Sequence, residues 1–349
     1  MKHLMTLICI ATLVFVGNAQ KLVTVSHNGQ ASFFTGNSPV NDAVAAAVSG
    51  DTIYIPGGGF SVGTLTIDKS LTIYGVGHSP DSTNATYRTE ITGNITLVQG
   101  ATNTKLEGFY LSGDLTFGTS AGNQFVENIT IKRINLQTLR LSWNGSAPTT
   151  ANNILVEENI IRSEIQVGYA TGVVISKNRI AQGFRYASNT LITNNILFGS
   201  YCGSGPFYAL DNCLIQNNFI YVAFSPCTGN YFIHSGSNTN HFANNAININ
   251  QTFPAGTNTG TGNWVNVSYT SFFTNCTGTG FDYAYDYHLQ TPGSYLGTDG
   301  TEIGIYGTAS PSKTGWVPEN PHVSTKTISP QTDSNGELNI NITVGAQDN

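Results

Sequence analysis

NCLIQNNFI, residues 212–220, is an apolar run that closes on two asparagines. A double Asn is poor strand material, yet the phrase returns as GVVISKNRI (172–180), TLITNNILF (190–198) and HFANNAINI (241–249). Aligned on one residue, the repeats place Asn159, Asn178, Asn195, Asn218 and Asn245 in a single column. Each is followed two positions later by an apolar residue: Ile161, Ile180, Leu197, Ile220 and Ile247. The column members lie 19, 17, 23 and 27 residues apart, and Ile131–Ile134 and Leu106–Phe109 fit the same frame at 25-residue steps upstream. A drifting period carried by short β-type runs, without helical periodicity, predicts a parallel β-helix solenoid. Asn suits the corner between two strands because it tolerates a left-handed backbone. Its amide can also donate to the coil on one side and accept from the coil on the other, making a ladder. The competing all-β fold is an antiparallel sandwich, but Asn-Gly hairpin turns at about 8–12-residue spacing are missing from the middle of the chain.

Composition agrees with a turn-rich β protein. Gly supplies 38 of 349 residues, charged residues are only 10% and apolar residues 40%, enough for one large domain or two medium ones with a substantial core. Lys2 and His3 precede an apolar run from Leu4 to Val16, and Gly17-Asn18-Ala19 offers small residues for cleavage. Residues 1–19 therefore read as a signal peptide, too short for a span of about 20 apolar residues. The expected location is secreted or cell-surface, with the periplasm as the alternative, and no later segment is expected to cross a membrane. Removing the leader takes Lys2 and leaves 13 basic against 20 acidic residues, a net of −7. That balance argues against nucleic acid or an anionic membrane as partner. The remaining cysteines, Cys202, Cys213, Cys227 and Cys276, lack metal-site spacing, so no metal and no cofactor is expected. Cys202 and Cys227 lie 7 and 9 residues past their corner Asn. They are expected either to pair as a disulfide between adjacent coils or to be buried thiols, with Cys213 in the core.

The ends fit a solenoid. Asn41–Ser49 is Ala-rich, with Val40, Val44 and Ala47 or Val48 on one face, and it stops at Gly50. It reads as a short helix covering the apolar end of the first coil. The run NDAVAAAVSGDTIYIPGGGFSVGTLTIDKSLTIYGVG (41–77) resembles the opening of pectate-lyase-like right-handed β-helix proteins, and the Asn-x-Ile rungs resemble their general repeat. The resemblance covers about residues 40–290 and implies an all-β, single-stranded right-handed parallel β-helix with an N-terminal capping helix. The stretch YHLQTPGSYLGTDGTEIGIYG (287–307) resembles a final coil of exported bacterial members, so the solenoid is expected over 20–307. Residues 308–349 read as a Pro-containing linker and a C-terminal β tail. Leu338, Ile340, Ile342 and Val344 form its strand after the Asn335-Gly336 turn, and the tail is expected to pack along the solenoid, with a small attachment element as the other reading.

The resemblance implies engagement of extracellular polysaccharide, either by lyases that need a base and a cation for a uronate carboxylate or by hydrolases that need paired carboxylates. Acidic residues in the coils are few, and no paired-Asp, Gly-His-Gly or calcium-type Asp cluster stands in this chain. No catalytic residue is assigned, and whether the protein is an enzyme stays open. Lys132 aligns with Glu157, while Arg133, Glu158 and Lys177 share the next column, a pattern expected of surface ion pairs between coils. Arg140, Arg162, Glu164, Arg179 and Arg185 cluster with Tyr169, Tyr186 and Tyr201 just past the corner. They form the candidate sugar-binding set, because Arg clamps carboxylates and Tyr packs on sugar rings; ordinary surface and loop packing is the other reading. Asp282, Asp286 and His288 are expected to cap the last coil. The alternatives to polysaccharide engagement are a non-catalytic structural or adhesive surface protein and a lyase acting on acidic glycans.

Overall fold

A computed structural model describes residues 21–120, 125–142, 150–200, 205–223, 232–234, 236–250 and 257–346. Apolar residues at alternate positions bury one face of most coil strands, and the coils stack into a parallel β-solenoid of about seven turns. Each coil gives one strand to a first face, a twelve-stranded sheet running from Gln30–Phe34 to Thr259–Thr261. Ile131, Val156, Ile175, Ile192, Ile215 and Phe242 are in register along it, and all are buried. The other two faces are the arms of a fourteen-stranded sheet. They diverge at the long strand Thr89–Leu97, which pairs with Tyr110–Leu111 at its start and with Leu115–Phe117 at its end.

The paired asparagines divide two tasks. Asn159, Asn178, Asn195, Asn218 and Asn245 turn inward at the corner between the first and second faces, each at most 2% exposed. Their Nδ2 groups donate to the next Oδ1 at 2.9–3.0 Å, and Asn263 extends the ladder by one coil at 2.9 Å. Each Oδ1 also accepts a backbone N–H, as Asn195 does from Asn178 at 2.9 Å. The left-handed backbone expected of these residues belongs instead to the position before them. Arg133, Glu158, Lys177, Asn194, Asn217 and Asn244 have φ between +50° and +58°. The physical reason is that a ladder amide must face the interior, so the tight turn falls one residue earlier and its side chain points outward. At another corner, Asn103, Asn128 and Asn153 do combine positive φ with an exposed ladder of 2.9 and 2.7 Å.

The cap has two parts. The helix runs Pro39–Ala46 and buries Val40, Ala43 and Val44, while Val48 stays 50% exposed. Beside it, the antiparallel pair Val23–His27 and Gln30–Phe34 joins the first face through Asp51–Tyr54, an element unanticipated from sequence.

Residues 287–307 do not form a last coil. Asp286–Leu289 pairs antiparallel with Phe273–Asn275 in an arm that lies back over the second face. Phe272 stacks on Phe219 there at 4.8 Å, and Phe273 meets the same ring edge-on at 4.7 Å. Residues 296–319 then form a strap that runs the length of the corner in the reverse direction, meeting the outward left-handed column coil by coil. Asn244 Nδ2 donates to the Leu296 carbonyl (2.9 Å), and Asn217 Oδ1 accepts from the Thr298 amide (2.9 Å). Lys177 Nζ donates to the Ser310 carbonyl (2.7 Å), and Glu158 accepts from the Lys313 amide (3.2 Å). Arg133 donates to the Val317 carbonyl (3.0 Å). At Gly108 the strap comes so close that an added Cβ would lie 2.7 Å from the Pro318 ring. Of the tail expected over 308–349, only the part up to residue 319 packs along the solenoid, as the end of this irregular strap, because the expected strand pairs elsewhere. Beyond it, His322–Ile328 and Ile340–Gly345 pair as a hairpin that exposes Ile328, Leu338, Ile340, Ile342 and Val344.

The aligned charges are in register as expected, but the strap covers them, so they are not a surface ladder. Arg133 is 2% exposed and reaches Glu158 at 2.8 Å and Glu107 at 3.1 Å. Glu319 of the strap bridges Lys105 (2.7 Å) and Lys132 (2.9 Å). It supplies the fourth carboxylate, with Glu107, Glu157 and Glu158, against Lys105, Lys132, Arg133 and Lys177. Burial alone would raise the Glu319 carboxyl, but hydrogen bonds from the two ammonium groups outweigh it and hold it at about 2. A depressed carboxyl contributes stability above its unfolded value, and loses it as pH falls toward the folded one. The Glu319 side chain is 35% exposed, so screening leaves about 1–2 kcal/mol of the nominal gain. Protection of the amides in 310–319, taken relative to the intrinsic exchange rate at each pH, is expected to fall between pH about 4.5 and about 2. Glu319→Gln should show the reduced protection already at neutral pH.

Candidate functional site

With the arm over the second face and the strap over the corner, no described segment lies across the third face, where Arg140 is partly exposed while Glu164 and Arg185 are only 8% and 7% exposed. Its inward column, Leu115, Leu139, Ile165, Phe184 and Phe207, is in register and buried. Alternation along the strands then forces Thr116, Arg140, Gln166, Arg185 and Tyr208 outward in one line. A second outward line carries Asp114, Thr138 and Glu164.

The polar groups of this face are joined across coils. Arg140 meets Asp114 at 2.5 Å, and Arg185 Nε meets Glu164 at 2.6 Å. Gln166 Nε2 donates to the other Glu164 oxygen at 2.5 Å. The Arg185 guanidinium lies 5.0 Å from the centre of the Tyr208 ring, which packs 4.3 Å from His234 and edge-on to Tyr186 at 5.6 Å. Next to this ladder, Gly168, Tyr169, Tyr186, Ser188 and Ala209 line a shallow depression of about 400 Å³. Tyr169 is 61% and Tyr186 42% exposed, and Tyr186 has φ +56°, which tips its ring out of the sheet.

The candidate residues therefore split. Arg140, Glu164, Tyr169, Arg185 and Tyr186 share the third face. Arg162 lies between the second and third faces, where its Nη2 donates to the Leu111 and Ser112 carbonyls at 2.8 Å over the Tyr110 ring. Arg179 is buried in the second face, bonded to the Thr279 carbonyl of the arm and 4.9 Å from the Phe198 ring. Tyr201, Cys202 and Cys227 lie outside the described residues. Cys213 is buried, and burial pushes its thiol up to about 11. Asp114, Gln166, Tyr208 and His234 were missed as site residues. Register alone reveals them, since Asp114 precedes the coil partner of Leu139 and Tyr208 stands one coil beyond Arg185.

A second polar cluster lies under the arm. The Tyr283 hydroxyl accepts from Asn135 Nδ2 (2.9 Å) and bonds His78 Nδ1 (3.0 Å). Burial, helped by the nearby Arg88 charge, pushes the His78 imidazole down to about 3, so it is neutral at ordinary pH and anchors the arm. His288 pairs with Asp286 at 2.6 Å and stacks on Tyr306 at 3.8 Å, placing this expected capping pair in the arm and strap. Among the described residues no group of three or more His, Cys, Asp or Glu could hold a metal ion, and no helix is long and apolar enough to cross a membrane.

Fold and face together define a parallel β-solenoid with one open, ion-paired aromatic flank. A scan against protein-family models gives no match, and no curated protein or solved structure matches the chain.

Proposed function

We propose that the protein is exported by way of residues 1–19 and engages polysaccharide outside the cytoplasm along its third face. The observation that supports this reading is the pair of exposed tyrosines, Tyr169 and Tyr186, around a depression beside a ladder of polar side chains. A long solenoid flank repeats its groups at about 4.8 Å per coil, which suits a repeating chain of sugars. Rings open on one side can stack on pyranose faces while their hydroxyls stay hydrated. No residue is assigned a catalytic role.

Tyr169→Ala and Tyr186→Ala are each expected to weaken glycan binding about tenfold, the effect of losing one aromatic contact of about 1–1.5 kcal/mol. The melting temperature should stay unchanged, because both rings project from the surface. Binding of the mature chain on a glycan array, followed by titration of the best ligand, measures this; affinities unmoved by both substitutions would remove the third face from the reading. An adhesive role is the second reading, favoured by the free-standing hairpin with its exposed Ile340, Ile342 and Val344.

A further inference from the structure

We infer that the sugar chain taken by the third face is neutral, not built of uronates or other anionic units; this rests on the polysaccharide reading above. An anionic sugar needs a cation whose charge is not already matched. Arg140 is held by Asp114 at 2.5 Å and Arg185 by Glu164 at 2.6 Å, so the four charged groups of the open face cancel. Arg162 is directed away onto two backbone carbonyls. Arg179 lies beneath the arm. Lys105, Lys132 and Lys177 sit with their carboxylates at the strapped corner, on another side of the coil.

A substrate carboxylate brought onto Arg185 would sit beside Glu164, which is only 8% exposed and already bonded to the same guanidinium, so two like charges would crowd one cation. The field of the whole molecule acts the same way, since the chain without its leader carries a net of −7 and repels polyanions. A neutral pyranose asks for different groups. It offers an apolar ring face to Tyr169 and Tyr186, and hydroxyls that can donate to the remaining lone pairs of Asp114, whose two oxygens already accept from the Thr138 amide and Arg140, and accept from the second amide hydrogen of Gln166. Gln166, Arg185 and Tyr208 are in register on three consecutive coils. A chain lying along the solenoid axis would thus meet one side chain per coil, and one coil is about as long as one sugar unit.

The test compares soluble neutral oligosaccharides (β-glucan, xylan and mannan fragments) with polygalacturonate and alginate fragments, by titration calorimetry on the mature chain at low and high salt. Binding by a neutral series, insensitive to salt and weakened tenfold or more by Tyr186→Ala of unchanged melting temperature, is the expected result. Tighter binding of the uronate fragments, falling steeply as salt rises, overturns the inference while leaving the polysaccharide reading standing. Binding of neither class overturns that reading itself and the inference with it.

Discussion

Asn195→Leu is expected to destabilise the solenoid by about 3–5 kcal/mol, measured as a lowered urea midpoint, or to prevent soluble expression. Leucine shares the branch at Cγ but is bulkier than asparagine, so no cavity is left and the cost is lost hydrogen bonding with some overpacking added. Asn195 Nδ2 donates to the Ile175 carbonyl (2.9 Å), the Thr193 carbonyl (3.0 Å) and Asn218 Oδ1 (3.0 Å). Its Oδ1 accepts from the backbone and side chain of Asn178 at 2.9 and 3.0 Å. Substitution leaves the Asn178 amide and the Ile175 carbonyl facing an alkyl chain where water has no access, at about 1–3 kcal/mol for each orphaned group. Asn244→Gly is the contrast. Glycine adopts φ +50° freely, and the bond lost, to the Leu296 carbonyl, is exposed, so the cost should stay near 1 kcal/mol or below. Equal costs at the two positions would mean that the outward column matters as much as the ladder.

The difference between these two columns also explains what could be read in the chain. Apolar residues fixed at two offsets from an Asn are a local signal, because stacking demands the same inward choice at every coil; hence the ladder at 159, 178, 195, 218 and 245. The strap leaves no such trace. Apart from the Glu319 carboxylate it binds mainly through its own backbone, by the carbonyls of Leu296, Ser310 and Val317 and the amides of Thr298 and Lys313, so its side chains need not repeat. The arginine cluster was misread for a related reason. In a three-sided coil the offset from the ladder decides the face. Arg179 stands one residue past Asn178 and Arg162 three past Asn159, whereas Glu164 and Arg185 stand five and seven past their ladder residues. The first two fall on or beside the second face and the last two on the third, though all are close in sequence. Which face the arm then covers depends on residues from about fifty to a hundred positions away.

Arg133→Met is expected to cost about 3–5 kcal/mol, and to loosen the strap before the solenoid melts. Methionine keeps much of the aliphatic bulk and tolerates φ +52° no worse than arginine does, so backbone strain cancels from the comparison. What remains is electrostatic. Glu107 and Glu158 are 0% and 2% exposed and lose a shared guanidinium at 3.1 and 2.8 Å, while the Val317 carbonyl loses its donor. Adding Glu158→Gln to Arg133→Met removes one stranded charge and should recover part of the loss, an interaction of about 1–3 kcal/mol in a double-mutant cycle. Proteolysis reports on the order of events, with the strap between 296 and 319 cut first in the single variant and the coils resisting. Simultaneous loss of strap and coils would show instead that the strap is part of one cooperative unit with the turns beneath it.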